Sequence, residues 1–183
     1  MTAMKQDGIF SLLGSVLVAL LLFGARLLLD QDGTAPPVAQ GPQKNGQVTA
    51  VLDGDTIDVV ENGKSLRLRF AGIDTPEKSQ PFGPEAKAAL DRRVGGKVVR
   101  FEVRETDRYG RSIADIYDEQ GHVNLWLVED GFAWHYKAFS KDQNLADAEK
   151  QARAGRKGLW GSNRPVEPWN WRKLSSAQRA RYQ

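Results

Sequence analysis

Leu66-Arg67-Leu68-Arg69-Phe70-Ala71-Gly72-Ile73-Asp74-Thr75-Pro76-Glu77 holds both a strand and its abrupt end. Leu66, Leu68 and Phe70 alternate with Arg67, Arg69 and Ala71, which gives a strand one apolar face. Pro76 carries no N–H for a ladder, so the strand, read over Leu66–Gly72, cannot run past Asp74-Thr75-Pro76-Glu77. One short stretch thus brings together a guanidinium, a backbone turn and two carboxylates, the parts needed to hold a cation beside a phosphate.

Upstream, Gln47–Asp53 and Thr56–Val60 read as two strands around Asp53-Gly54-Asp55, and Asn62-Gly63 is a hairpin turn leading into the central strand. Downstream, Gly83-Pro84-Glu85 opens a helix with proline and an acid in its first turn and Ala86, Leu90 and Val94 along one face. Val98–Glu105 and Ser112–Asp118 read as further strands joined through Asp107-Arg108-Tyr109-Gly110. Val123–Asp130 reads as a short helix stopped by Gly131, and Asn144–Ala154 as another that buries Leu145, Ala148 and Ala152. Five strands, with one helix between the third and fourth, predict a mainly β fold with α-helices: a five-stranded OB-type barrel with three packed helices.

The ends of the chain differ from this body. Gly8–Ala25 is apolar except for Ser11 and Ser15, and Leu27–Leu29 follow a single Arg26. About 20 such residues cross a bilayer, so residues 8–29 are expected to form a transmembrane anchor after a short segment, 1–7. The rival is a cleaved signal peptide. No good small-x-small site follows, since Phe23 stands three residues before a cut after Ala25, and a cut after Ala35 leaves Pro36 behind it. Residues 30–46, with Gly33, Pro36, Pro37, Gly41 and Pro42, read as a tether. The barrel is expected over 47–160 and a basic, aromatic tail over 161–183.

The net charge of +3 is unevenly placed: after Gly161 five basic residues face one acid, a balance of +4, which leaves −1 for the rest. The body is not a polycation, so contact with nucleic acid there depends on individually placed arginines. In the tail, Pro165-x-x-Pro168-Trp169-Asn170-Trp171-Arg172 reads either as a brace packed on the barrel or as a platform for bases and phosphates. With no cysteine, neither a disulfide framework nor a cysteine-built zinc site is open to this chain. His122 and His135 belong to no metal-ligand spacing.

Taken singly, Asp53-Gly54-Asp55 is a turn, Thr75-Pro76 a helix entry and Arg111 a solvated strand end. Taken together they are a constellation. Asp55, Asp74, the Thr75 carbonyl and Glu77 offer oxygen ligands of the kind hard cations take. Arg69 and Arg111, from two strands, present the planar forks that fit phosphate oxygens. Glu77, just beyond, is placed to accept a proton from water.

The ordered set D-G-D-T (53–56), R-x-x-x-x-D-T-P-E (69–77), G-P-E-A (83–86), T-D-R-Y-G-R (106–111) and G-L-W (158–160) resembles the staphylococcal nuclease, or thermonuclease, family over Gln47–Trp160. The resemblance implies an OB barrel with three helices and a Ca²⁺-dependent hydrolase of phosphodiester bonds in DNA and RNA. Such an endonuclease or exonuclease prefers single strands and leaves 3′-phosphates. It carries metal ligation to Asp55, Asp74 and Thr75, the general base to Glu77, and phosphate binding to Arg69 and Arg111. It places Arg108 and Tyr109 beside the terminal phosphate of the nucleotide, with arginine where the family prototype has lysine. Tyr136 is taken as the aromatic that covers the base, in competition with Lys137. The segment from Glu77 to Gly83 is shorter than the prototype's loop, which bears on how freely Glu77 moves. The expectation is therefore a membrane-anchored nuclease with its catalytic body outside the cytoplasm, at the periplasmic or outer face of a bacterial inner membrane, or else secreted. Nucleic acid is its substrate, the membrane its only other contact, and no protein partner is implied. The alternative is a non-catalytic membrane-tethered OB module that binds nucleic acid or protein. It is disfavoured because Asp55, Arg69, Asp74, Glu77 and Arg111 are all present.

Overall fold

Alternation persists in the computed structural model, which describes residues 42–182. In β3 (Lys64–Phe70) Leu68 and Phe70 are buried while Arg67 faces solvent. The strand pairs antiparallel with β2 (Thr56–Glu61) through the turn at Asn62-Gly63. Both turn residues have positive φ, 49° and 78°, as a tight two-residue hairpin requires. β1 (Lys44–Val51) pairs with β2 on one side and with β5 (Val98–Thr106) on the other, and β5 pairs with β6 (Ser112–Asp118).

The barrel closes where β6 returns beside β3, in parallel, through Leu68↔Ser112, Arg69↔Ile113 and Phe70↔Ala114. This gives the closed five-stranded barrel of the OB type. Its interior is filled by Ile57, Val59, Leu68, Phe70, Phe101 and Ile116, each at most 1 % exposed. Each such side chain contributes about 1.5–3 kcal/mol by leaving water.

Two strands are shifted from the sequence reading, β1 lying over Lys44–Val51 instead of Gln47–Asp53 and β3 over Lys64–Phe70 instead of Leu66–Gly72, while β2 and β5 each end one residue later than expected. β1 starts at Lys44, before the expected Gln47, because inward-facing Gly46 fills a position beneath Val59 and Phe101 without showing as an apolar residue in the alternation. β3 ends at Phe70. Gly72 then turns the chain with φ +74°, a conformation that disfavours residues with a Cβ, and a Cβ there would lie 2.8 Å from Leu145. Ile73–Asp74 forms a separate short strand, β4, paired with β8 (Trp134–His135). β7 (Gly121–His122) is a two-residue extension beside β6.

The three expected helices are present: α1 (Gly83–Val94), α2 (Val123–Glu129) and α3 (Gln143–Ala154). Ala86, Leu90 and Val94 of α1 and Leu145, Ala148 and Ala152 of α3 are buried, as the spacing requires. α3 is capped by Asp142, whose side chain accepts from the Asn144 N–H. A 3₁₀ turn at Gly158–Gly161 and two short helices, α4 (Pro168–Trp171) and α5 (Ser176–Arg179), complete the described chain.

Asn124, fully buried, ties α2 to the closing edge of the barrel. Its Oδ1 accepts from the Ile116 N–H at 3.0 Å, and its Nδ2 donates to the carbonyls of Ala71 (3.0 Å) and Ala114 (3.2 Å). The anchor expected at residues 8–29 lies outside the described residues, as does most of the tether. Among the described residues no helix is long and apolar enough to cross a membrane.

Candidate active site

Four loops meet at one end of the barrel around a cleft of about 780 Å³. The β1–β2 turn supplies Asp53 and Asp55, the end of β3 supplies Arg69, the segment from β3 to α1 supplies Asp74, Thr75 and Glu77, the β5–β6 loop supplies Arg108, Tyr109 and Arg111, and β8 leads into Tyr136. The fold explains why these distant residues meet. The β3–β6 seam sets Arg69 opposite Ile113 and so brings the Arg111 loop to the same rim. The Asp74↔Trp134 pair, with the Tyr136 N–H donating to the Gly72 carbonyl at 2.9 Å, brings Tyr136 alongside. Every residue assigned to the site from sequence lines this cleft, and neither histidine does.

Asp55 is 4 % exposed and heavily held. Its Oδ2 accepts from the Thr75 N–H (2.7 Å) and Oγ1–H (2.9 Å), and its Oδ1 lies 3.1 Å from Nε of Arg69. Arg69 also donates through Nη2 to Asp74 (2.8 Å) and through Nη1 to the carbonyls of Phe70 (2.9 Å) and Ile73 (3.0 Å). Its guanidinium thus clamps the Gly72 turn and spans two carboxylates, instead of standing open toward a phosphate. Arg111 is more open: its Nε donates to Asp107 at 2.7 Å, and a third of its side chain is exposed. Asp107 is held below its ordinary pKa by the hydrogen bonds from Arg111 and from the Tyr109 N–H, which outweigh burial. Arg108 lies over the exposed ring of Tyr109, 4.8 Å from its centroid, and donates to its hydroxyl at 2.7 Å.

Burial, reinforced by the Asp55 charge, pushes Asp53 from 3.8 to about 6. Burial likewise raises Asp74, against the hydrogen bond from Arg172. Carboxylates buried beside one another behave this way.

The Glu77 loop is short and anchored. The Gln80 N–H donates to the Glu77 carbonyl at 2.8 Å, and Gln80 Oε1 accepts from the Glu77 N–H at 3.1 Å. Gly83 presses so close that a Cβ would stand 2.0 Å from the Glu77 carbonyl oxygen. The backbone of Glu77 is therefore held, and its carboxylate moves by side-chain rotation.

Arg172, read from the sequence only as part of the tail's brace or base-and-phosphate platform and not as a site residue, enters the cleft from just beyond α4. Its Nη2 donates to Asp74 Oδ2 at 2.7 Å and its Nη1 to Glu77 Oε1 at 2.5 Å. Burial works against its charge, but the bonds to Asp74 and Glu77 outweigh it and raise the pKa of Arg172 above that of an ordinary arginine. Beside it Trp169 stacks on Tyr136, ring centroids 4.9 Å apart and planes 3° from parallel, while Trp171 is buried at 1 % exposure. The brace expected of the two tryptophans is thus present. Only the W-x-W-R run within a basic tail pointed to a nearby cation.

The donors in the cleft are all oxygen, which suits Ca²⁺ chemically. Their spacing does not suit it as it stands. Among the described residues no three acidic or histidine side chains converge as a metal set, and the carboxylates face guanidinium groups.

A profile described as "Staphylococcal nuclease homologue" matches residues 67–162, just over half of the chain. An uncharacterized endonuclease of Escherichia coli O157:H7 is 40% identical over 129 residues, 70% of this chain and 84% of that protein. The chain belongs to the staphylococcal nuclease family. A micrococcal nuclease of Shigella flexneri is 38% identical over 141 residues, 71% of this chain and 81% of that protein. The probable staphylococcal-like nuclease CAN1 of Oryza sativa subsp. japonica is 47% identical over 110 residues, 60% of this chain but 33% of its own length. The chain thus spans about a third of the plant relatives it matches. The nuclease profile stops before Pro165, so the α4–α5 arm that carries Trp169 and Arg172 lies outside it.

Proposed function

We propose that this chain is a Ca²⁺-dependent nuclease that hydrolyses DNA and RNA, prefers single strands and leaves 3′-phosphates. The observation that carries the proposal is the convergence of Asp55, Arg69, Asp74, Glu77 and Arg111 on one cleft, with Tyr109 and Tyr136 at its edges. Family membership supports the same reaction class.

In this reading Tyr136 offers a ring face to a base, and Arg108 and Tyr109 hold the terminal phosphate. Arg111, the more open arginine, places its fork on the oxygens of the scissile phosphate, where it gains strength as charge builds. Arg69 keeps Asp55 and Asp74 aligned and lends its charge to the same oxygens. Glu77 takes a proton from the attacking water as the new P–O bond forms. The bond to the 5′ oxygen breaks, that oxygen takes a proton from solvent, and the phosphate stays on the 3′ side. A cation held by Asp55, Asp74 and the Thr75 carbonyl would supply further neutralisation of the phosphate.

The full chain, incubated with a single-stranded oligonucleotide, should release 3′-phosphate fragments with Ca²⁺ and none with chelator. Binding without cleavage at any Ca²⁺ concentration would instead favour a non-catalytic OB module. The apolar run Gly8–Ala25 supports a further proposal, that the chain is anchored in a membrane with its body on the non-cytoplasmic side, a secreted form being the alternative. The intact chain should then stay in the membrane fraction through an alkaline carbonate wash. A mature form beginning after Ala25 or within 30–46 would mark that run as a signal peptide.

A further inference from the structure

The protein's own tail enters the cleft, through Arg172. Three carboxylates, Asp55, Asp74 and Glu77, face two guanidinium groups, Arg69 and Arg172. If Arg172 withdraws, three negative charges face one positive charge, and the deficit matches a divalent cation. While it stays, the deficit is a single charge, and Asp74 and Glu77 are turned toward a guanidinium. Among the described residues no metal set is gathered, and Asp74 and Glu77 are paired with Arg172.

The base platform shows the same substitution. The Trp169 indole lies flat on Tyr136, on the kind of ring face a nucleobase would stack on. Both contacts come from one element, α4 and the residue after it, beyond the residues 67–162 that the family profile matches. The arm is tied down elsewhere as well: Gln80 Nε2, in the Glu77 loop, donates to the Val166 carbonyl at 2.6 Å, and Trp171 is buried. Arg172 itself is held only at a partly exposed site, its side chain 44% exposed. The arm is thus fixed through Val166 and Trp171, and its tip, Trp169 and Arg172, meets the cleft through side chains that solvent reaches.

We infer that the Pro165–Tyr182 arm is an intramolecular occupant of the active site, with Arg172 standing where the divalent cation binds and Trp169 where a base stacks. Cation and single strand must displace the tip together, so the closed protein has low cation affinity until substrate arrives. This inference rests on the nuclease reading for the identity of the displacing ligands.

The test is Ca²⁺ binding to the full chain by isothermal titration calorimetry, without nucleic acid. Arg172→Gln removes the charge but keeps hydrogen-bonding groups, so it should bind Ca²⁺ about tenfold more tightly, the scale of two partly exposed ion pairs released together. Arg172→Lys keeps the charge and should stay within about threefold of the unaltered chain. Equal or weaker binding by Arg172→Gln, or no Ca²⁺ binding by either chain, overturns the inference. If Arg172→Gln fails to fold, Trp169→Ala serves in its place, because it loosens the arm while keeping Arg172: tighter binding supports the inference and unchanged or weaker binding overturns it. Cleavage of a single-stranded oligonucleotide is scored separately. Tighter cation binding without cleavage would sink the nuclease reading alone, and cleavage with unchanged cation affinity would sink the arm's role alone.

Discussion

Replacing Asn124 should separate the integrity of the barrel's closing edge from the chemistry of the cleft. Its side-chain amide makes three hydrogen bonds in a site with no solvent exposure. Asn124→Ala leaves the Ile116 N–H and the Ala71 carbonyl without that partner, while the Ala114 carbonyl keeps the Ala71 N–H at 2.8 Å. Two orphaned groups at about 1–3 kcal/mol each predict a loss of about 3–4 kcal/mol with little dependence on pH. Asn124→Asp is nearly isosteric and keeps the acceptor for Ile116, but turns a carboxyl oxygen toward two carbonyls. Protonated, that oxygen still donates to one of them; ionised, it repels both. Burial raises the new carboxyl's pKa, so the folded state binds its proton more tightly than the unfolded state does. Stability is then greatest below the ordinary carboxylate range and falls as pH rises through the folded pKa. Urea unfolding followed by tryptophan fluorescence should show about 1–2 kcal/mol lost at pH 4.5 and about 4 kcal/mol at pH 8, at similar m-values. A loss for Asn124→Asp that stays under about 1 kcal/mol at both pH values, or that shrinks as pH rises, would refute the argument.

Glu77→Gln keeps shape and hydrogen bonding but removes the proton acceptor, so turnover should fall about a hundredfold or more while oligonucleotide binding stays within a few-fold; near-normal turnover at saturating Ca²⁺ would remove Glu77 from the role of base. The rise of Asp53 from 3.8 to about 6 sets folding against its ionisation, so its contribution to stability is complete below pH 3.8 and lost as pH climbs through about 6. Asp53→Asn should therefore leave stability near pH 4 little changed and raise it at pH 8 by at most about 3 kcal/mol in the absence of Ca²⁺, as read by denaturant titration at both pH values.

Much of the architecture could be read from periodicity, because the buried faces of β3, α1 and α3 coincide with the only apolar stripes their segments contain. The Asn62-Gly63 turn was equally plain, since few other pairs accept positive φ twice. The start of β1 was hidden because Gly46 occupies a core position without an apolar side chain. The break in β3 was misplaced toward Pro76 because proline signals its own effect, whereas Gly72 acts through a turn fixed by distant contacts, with Leu145, Ser140, the Tyr136 N–H and the Arg69 clamp. Most of the candidate site was visible as ordered motifs, each within a few residues of chain. Arg172 was not, because it meets Asp74 and Glu77 across 98 and 95 residues, and no local spacing encodes such a contact. Arg69 was identified but its surroundings were not, since its bonds to backbone carbonyls depend on how the chain turns after Phe70.

The parallel seam between β3 and β6 also bears on the order in which the protein matures. β1, β2 and β3 follow one another through short turns, so their pairing closes small loops early. The seam joins Leu68–Phe70 to Ser112–Ala114 across α1, β5 and the Asp107–Arg111 loop, a larger loop closure than either the β1–β2 or the β2–β3 hairpin. Arg69 and Arg111 stand on its two sides, so no folding intermediate with an open barrel can hold both against one ligand. In the proposed nuclease a chain with an open barrel should therefore be inactive, and regained activity should report closure of the seam rather than formation of the first hairpins.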